Sequence, residues 1–409
     1  MNTNLSIEIK KCRSCGSAKL KNILSLGNRY LSDFSKTNKK SEKYPLNILL
    51  CAECDLLQLK HNVPVLALYT ERYGYKSGIN KTMQNELKEI VDKSLNKLEK
   101  KGKIVAIDIG ANDGTLLGNY SDSVFKIGIE PIKKFAKECE FKANVVINNF
   151  FTYNSYFKKL KTKKADIVTA ISCFYDMEDP NRVLSDIKKV LQKDGILVIQ
   201  QNYLVGMLEK NAFDNIVHEH LEYYSLLSLE NLLKRHSFEV FNVEESDING
   251  GSFRTYICNT GKRRISKSVI SMRAKEEKMN LKNKEIYASF AKRVKNNRKK
   301  LYKLILNLTN NKKKVFAYGA STRGNTLLQY CRLDNKLIKA AVERNSEKWG
   351  KKIVSVGIPI ISEEQARMEK PDYMLVLPWF FKEEFLKREK KYLEEGGHFI
   401  FPLPKLKII

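Results

Sequence analysis

The sequence predicts an α/β chain of doubly wound, mostly parallel sheets, with two Rossmann-like units behind a small cysteine-rich N-terminal unit. Three observations carry this expectation. Short apolar runs alternate with segments of helical periodicity, the pattern of strand–helix–strand units. Two of those runs end in a glycine loop that leads into a further apolar segment, "VAIDIGANDGTLL" and "VFAYGASTRGNTLL". Two CxxC pairs, Cys12 with Cys15 and Cys51 with Cys54, precede the first loop.

Residues 1–72, Met1 to about Arg72, form the cysteine unit. Each knuckle, "CRSCGS" and "CAECDLLQL", offers two thiolates from a tight turn. Two knuckles complete a four-thiolate tetrahedron, the ligand set of a structural zinc ion with no position left for water. The other cysteines, Cys139, Cys173, Cys258 and Cys331, are scattered, so the eight together suit a reducing compartment and not a disulfide framework.

Residues 73–260 make the first α/β unit. Between Asn80 and Leu98, Met83, Leu87, Ile90, Val91, Leu95 and Leu98 share one helical face. "KIVAIDIGANDGTLL" reads as a buried strand, a glycine loop and a helix start, and "FKIGIEPIKKFAKECE" as a second strand and helix. "NVVINNFF", "ADIVTAISCF" and "GILVIQQNYL" are further strands, with helix "NRVLSDIKKVLQKD" between the last two. "SFEVFNVEES" and "GGSFRTYICNT" form an antiparallel pair that closes the unit. Residues 261–314 are a basic stretch of helices joining two units. Residues 315–409 repeat the α/β pattern: "KKVFAYGASTRGNTLLQYC", then strands "LIKAAVERN" and "PDYMLVLPWFF", helix "KEEFLKREKKYLEE", and a closing "GGHFIFPLP".

The chain has 409 residues, 43% of them hydrophobic and 10% aromatic, enough for several folded units. No stretch approaches the roughly 18 apolar residues of a membrane span. "MNTNLSIEIKKCRSCG" lacks the apolar run of a signal peptide, so a cytoplasmic protein is expected. The net charge of +28 comes from lysines spread along the chain, without an arginine-rich arm. It reads as a solvated surface that would also favour a small acidic substrate such as a nucleotide diphosphate. A nucleic-acid partner is the sharper alternative.

In the first glycine loop, Gly110 turns the chain and lets a ligand approach the backbone. Glu130, at the end of the next strand, stands where an acid would accept both hydroxyls of a ribose. With Asp108, Gly110, Gly114 and Glu130, but neither G-x-G-x-x-G nor a Walker lysine, the loop suits S-adenosylmethionine, which has a ribose and no phosphate. The second loop, Tyr318 to Asn325, offers backbone N–H groups at a helix start, with Ser321, Thr322 and Arg323 as added donors. Glu343 ends the following strand. This is an anion cradle, read as one for a nucleotide-sugar diphosphate. The segment "FDNIVHEHLEYYS" holds two of the five histidines. His218 and His220 are two apart, which on a helix points them to different sides and disfavours a shared metal. Spacing alone leaves open an acid/base role, with Glu219 orienting the base, and an ordinary helix start continued by "SLLSLENLL".

Taken together, "CRSC…CAEC", "YGYKSG", "DIGANDG", "FYDMEDPN", "FDNIVHEHLEYYS", "NGGSFR", "YGASTRGNTLL" and "LPWFF" resemble, over nearly the whole chain, the S-adenosylmethionine-dependent nucleotide-sugar C-methyltransferases. The resemblance implies a zinc-binding N-terminal domain, a class I methyltransferase Rossmann-like core and a second Rossmann-like C-terminal domain. It implies methylation of the carbon beside the ketone of a nucleotide-linked 4-keto deoxysugar, at C-3, by a monomer or weak oligomer with no nucleic-acid or membrane partner. His220 would be the base, Glu219 would orient it or bind the sugar, and Tyr75 and Tyr224 would lie near the sugar and stabilise the enolate oxygen. Asp108, Gly110, Asn112, Gly114, Glu130, Phe151 and Ser172 would hold S-adenosylmethionine. His218, Tyr223, Asp176, Ser321, Arg323, Asn325, Glu343 and Trp379 would hold the nucleotide sugar. Some members carry histidine where this chain has Asp176 and tyrosine where it has Val217, which leaves the sugar open. A zinc-containing RNA methyltransferase is the competing expectation.

Overall fold

Four sheets organise the chain in the computed structural model, which describes residues 6–37, 41–71, 73–100 and 102–409. The first five residues, part of the stretch read as lacking a signal peptide, and Arg72, the expected unit boundary, lie outside the described residues.

The N-terminal sheet is antiparallel. Leu20–Tyr30 pairs with Lys43–Cys51, which pairs with Leu57–Leu59. Its fourth strand, Glu222–Tyr223, arrives from the middle of the chain and pairs with Leu57–Leu59. A small ribbon, Ile7–Glu8 with His61–Asn62, flanks it.

The seven-stranded sheet places Val105–Ile109 in its interior, with two strands on one side and four on the other. Phe125–Ile129 and then Val145–Ile147 extend it on one side, all parallel. The chain then crosses to the other side, where Ala165–Ile171 and Leu191–Asn202 continue in parallel. Ser252–Asn259 and Phe238–Ser246 close that edge as the antiparallel pair the sequence predicts. The strand order therefore reverses between Val105–Ile109 and Ala165–Ile171, and a crevice opens at their C-terminal ends. The eight-stranded sheet repeats the plan. Val315–Tyr318 is flanked by Ala341–Val342 and Ile358–Ile361 on one side, and by Tyr373–Val376 and His398–Phe401 on the other. Its far edge carries Phe34–Ser35, lent by the N-terminal unit through Lys352–Ile353.

Local chemistry explains the main helices. Lys81–Asn96 starts where the Asn80 side chain accepts from Thr82 N and Met83 N, and it buries Met83, Leu87, Ile90 and Val91 on one face. Pro180–Val190 is capped by Asp179 with proline at its first position. Lys267–Met279 and Lys284–Asn310 fill the basic stretch. The longer one buries Tyr287, Phe290, Val294, Leu301 and Ile305 and turns Lys292, Lys295 and Lys299 outward. Among the described residues no helix is long and apolar enough to cross a membrane.

Three helix expectations change. After the first glycine loop there is only a short 3-10 turn, Leu117–Asn119. The "NRVLSDIKKVLQKD" helix stops at Val190, because Leu191 already pairs with Ala165 in the sheet. "KEEFLKREKKYLEE" breaks at Glu389, whose carboxylate is drawn inward to accept from the Tyr318 hydroxyl and to pair with Arg388 and Arg367.

Candidate active site and zinc site

In each knuckle the backbone closes on itself: Gly16 N donates to Cys12 O and Asp55 N to Cys51 O. The four sulfurs of Cys12, Cys15, Cys51 and Cys54 lie within 4.8 Å of one another, with Cys12 to Cys54 at 3.6 Å and Cys15 to Cys51 at 3.5 Å. A tetrahedron with ~2.3 Å metal–sulfur bonds has edges of about 3.8 Å, so the donor set fits zinc. Gln58 Nε2 donates to Cys12 Sγ at 3.2 Å, the kind of outer bond that orients a metal ligand.

A cavity of about 350 Å³ opens at the strand-order reversal of the seven-stranded sheet. Asp108, Gly110, Asn112, Glu130, Phe151 and Ser172 line it, as do Tyr75 and Asp176. Gly110 holds φ +72°, and a Cβ there would sit 3.1 Å from Cys173 Sγ, so glycine keeps this wall open. Glu130 is buried and accepts from Asn112 N and Ile132 N, both at 2.8 Å. These bonds fasten the glycine loop to the end of the next strand, while burial raises the Glu130 pKa. Asp108 accepts from Thr169 Oγ1 at 2.6 Å, and burial pushes its carboxyl up to about 7.

A second cavity, about 290 Å³, lies between the first α/β unit and the C-terminal sheet. His220, Glu219, Ser321, Arg323 and Glu343 line it, and Phe34 of the N-terminal unit adds a wall. Glu343 repeats the Glu130 device: it accepts from Ala320 N at 2.9 Å in the second loop and from Arg344 N and Asn345 N beside it. Cations gather at this end: Arg323, Arg344, Lys348 and Arg388 all line the cavity. Lys348 is buried, donates to Ala320 O at 2.8 Å, and has its pKa lowered by burial.

The opposite end of the second cavity is acidic and aromatic. Tyr73, Tyr75, Met83, Ser172 and Asp176 line both cavities, so the two spaces meet there. Asp176 Oδ2 accepts from the Tyr69 hydroxyl at 3.0 Å, while Oδ1 is buried with no partner among the described residues. Burial, with Glu219 nearby, raises the Asp176 pKa well above the carboxylate range. Burial pushes Glu219 up to about 7. His220 Nδ1 lies 2.9 Å from Asn215 O, which fixes the tautomer with hydrogen on Nδ1 and leaves Nε2 with a free lone pair. Its ring meets Tyr175 edge-on at 4.6 Å. Burial, then the Arg323 charge, hold its pKa down to about 3, so the imidazole is neutral.

Several expected site residues are placed elsewhere. His218 is turned away and buried, its Nε2 3.1 Å from Tyr44 O. Tyr224 is fully buried and donates to Glu222 Oε2 at 3.0 Å instead of facing a sugar. Tyr223 is buried on its short strand and lines neither cavity. Asn325 donates to Ser32 Oγ at 2.9 Å, which ties the second loop's helix to the N-terminal unit. Trp379 Nε1 donates to Asp214 Oδ2 at 3.1 Å. Arg323 lines the cavity, but its Nε also donates to Asp214, at 3.0 Å, so its charge is already paired. Gly114, at φ +73°, packs against Cys139. No helix starts at the histidines: 218–220 is a loop before the strand Glu222–Tyr223, and the helix begins at Leu226, capped by Ser225. Sequence reasoning missed Tyr69, Tyr73, Lys348 and Arg388. The tyrosines had a signal in the aromatic run "YTERYGY"; the two cations, lost among so many lysines and arginines, had none.

Three family models match in succession: a zinc binding domain over residues 12–69, a methyltransferase domain over 79–243, and a C-methyltransferase C-terminal domain over 247–404. The C-methyltransferase NovU of Streptomyces niveus is 28% identical over 410 residues, covering 98% of this chain and 97% of NovU. Among solved structures, the magnesium protoporphyrin IX methyltransferase ChlM of Synechocystis PCC 6803 aligns with 46% of this chain and 91% of its own, at 12% identity and TM-score 0.35. The plantazolicin methyltransferase BpumL aligns with 44% of this chain and 86% of its own, at 14% identity and TM-score 0.35. Alignments that loose carry no chemistry across.

Proposed function

The chain belongs to the S-adenosylmethionine-dependent C-methyltransferases, and from that premise we propose that it methylates the carbon beside the ketone of a nucleotide-linked 4-keto deoxysugar, at C-3. S-adenosylmethionine and a structural zinc ion at Cys12, Cys15, Cys51 and Cys54 are its cofactors. The observation that carries the acceptor reading is the meeting of two cavities beside His220, one at each sheet's loop cluster.

In this reading the first cavity takes the methyl donor, with Asp108, Asn112 and Glu130 as its polar wall. When bound, S-adenosylmethionine supplies a methyl carbon whose bonding electron pair leaves to sulfur. The cationic end of the second cavity takes the diphosphate, through Ser321 and the loop N–H groups with Lys348, Arg344 and Arg388 nearby. Glu343 is positioned for a ribose. The sugar then lies toward Glu219, His220, Tyr75 and Asp176.

His220 Nε2 takes the proton from the carbon beside the ketone, and the resulting enolate carbon forms the new bond to methyl. Burial, and after it the Arg323 charge, hold this base near 3; the bound diphosphate would offset the Arg323 part, and Glu219 would stabilise the imidazolium. Tyr75 and a protonated Asp176 at the junction, with Tyr73 and Ser172 beside them, are able to donate to the enolate oxygen. An acceptor space of about 290 Å³ favours this reading over an RNA substrate.

The test is a panel of keto nucleotide sugars incubated with methyl-labelled donor and read by mass spectrometry. Label on a sugar carbon is expected for at least one of them. Label in RNA and in none of the sugars would overturn the reading.

A further inference from the structure

We propose that Gln58 is a positioning residue that ties the zinc site to the histidine segment, so that metal at the four cysteines sets the placement of His220. Gln58 is fully buried, and both ends of its amide are engaged. Nε2 donates to Cys12 Sγ at 3.2 Å, and Oε1 accepts from Arg13 N at 3.1 Å and Arg13 Nη1 at 3.3 Å. The same Nη1 donates to Leu59 O at 2.6 Å, so the first knuckle grips the strand Leu57–Leu59 through one glutamine and one arginine.

Among the described residues, that strand is the only neighbour of Glu222–Tyr223 in its sheet. Gln58 lies directly opposite Glu222, and Leu59 N donates to Leu221 O at 2.8 Å. Leu221 N donates in turn to Tyr175 O at 3.0 Å, and the Tyr175 ring packs on His220. An unbroken path of hydrogen bonds therefore runs from a zinc-ligating sulfur to the residue that follows the candidate base. Register matters because a one-residue slip in so short a ladder would reverse the faces of Glu222 and Tyr223, both buried. Zinc would fix the four sulfurs about one point, and with them Cys12 Sγ, the acceptor of the Gln58 amide; without metal the two knuckles lose that common point, and the strand is left to Arg13 and to its pairing with Lys43–Cys51.

Only the kinetic part of the test rests on the reading of His220 as base. Gln58→Leu, made in the full zinc-loaded chain, is compared with the parent by zinc transfer to a chromogenic chelator, by amide exchange, and by methyl transfer. Zinc release should quicken about 10- to 100-fold. Amides of residues 218–224 should exchange at least about 10-fold faster while those of Val105–Ile109 hold, as expected for local opening. The kcat should fall about 10- to 100-fold with the KM for S-adenosylmethionine unchanged. If Gln58→Leu does not fold, the parent stripped of zinc and then reloaded serves instead, with protection of 218–224 lost and regained. Unchanged protection at 218–224, or a uniform rise that includes Val105–Ile109, overturns the inference. Zinc-dependent protection in an enzyme that methylates no keto nucleotide sugar would sink the proposed function and leave this inference standing.

Discussion

His218 and His220 are two residues apart and meet opposite surroundings. His218 packs edge-on to Tyr44 and bonds its carbonyl, and burial pulls its pKa down to about 4. Its unfolded value is near 6.5, so the unfolded chain binds the extra proton and this contribution to stability is lost as pH falls from about 6.5 toward 4. His218→Gln should therefore destabilise the protein more at pH 7 than at pH 5, by roughly 2 kcal/mol, measured by urea unfolding at both pH values. His220 faces the cavity, and His220→Ala should lower kcat by about 10²- to 10⁴-fold. Calorimetry on the same variant should find S-adenosylmethionine binding within about twofold of the parent, since His220 lines only the second cavity. Full methyl transfer by this variant would remove His220 from the mechanism. Spacing alone left an acid/base segment and a helix start both open; the resemblance named His220 as base and put His218 with the substrate, and it is the second of these that the burial of His218 removes. Tyr223, in the short strand, and Tyr224, just after it, are both buried and line neither cavity.

Elements were read best where their signals are local. The apolar spacing gave the helix now seen at Lys81–Asn96, and Asn80 caps it with two backbone bonds. Asn80→Ala should cost about 1 kcal/mol in urea unfolding, because those N–H groups lose their acceptor at a helix start. The first glycine loop was equally legible. Gly110→Ala forces a side chain into the left-handed region at about 1–2 kcal/mol and pushes a methyl toward Cys173. Its thermal midpoint should drop, and donor affinity by calorimetry should fall about tenfold, the equivalent of 1.4 kcal/mol. Element ends were less legible. Glu389 breaks a helix because its buried carboxylate accepts from Tyr318 and pairs with Arg367 as well as with its neighbour Arg388, and Tyr318 and Arg367 lie 71 and 22 residues away.

Across the whole molecule, buried charge joins the parts. Asp214, fully buried, accepts from Arg323 and Trp379 of the C-terminal sheet unit, while Arg323 also donates to Asn249 O. Asp214→Ala would leave the Arg323 guanidinium buried without its counter-charge, a change expected to cost about 3–5 kcal/mol. Nucleoside diphosphate binding should weaken with it and donor binding should hold, both by calorimetry; equal loss of the two would mean that the pair serves the fold as a whole. By itself the sequence determined the alternation of strands and helices, both glycine loops, the glutamates that end the following strands, and the four-cysteine zinc site. Each is written in residues a few positions apart, or in spacings that backbone geometry dictates. Only the tertiary structure decided that Glu222–Tyr223 belongs to the zinc unit's sheet and Phe34–Ser35 to the C-terminal one. It also decided that Arg323 is paired with Asp214 and that His220, not His218, faces the cavity. Those outcomes depend on contacts between residues far apart in the chain, where burial and partner choice leave no local periodic trace.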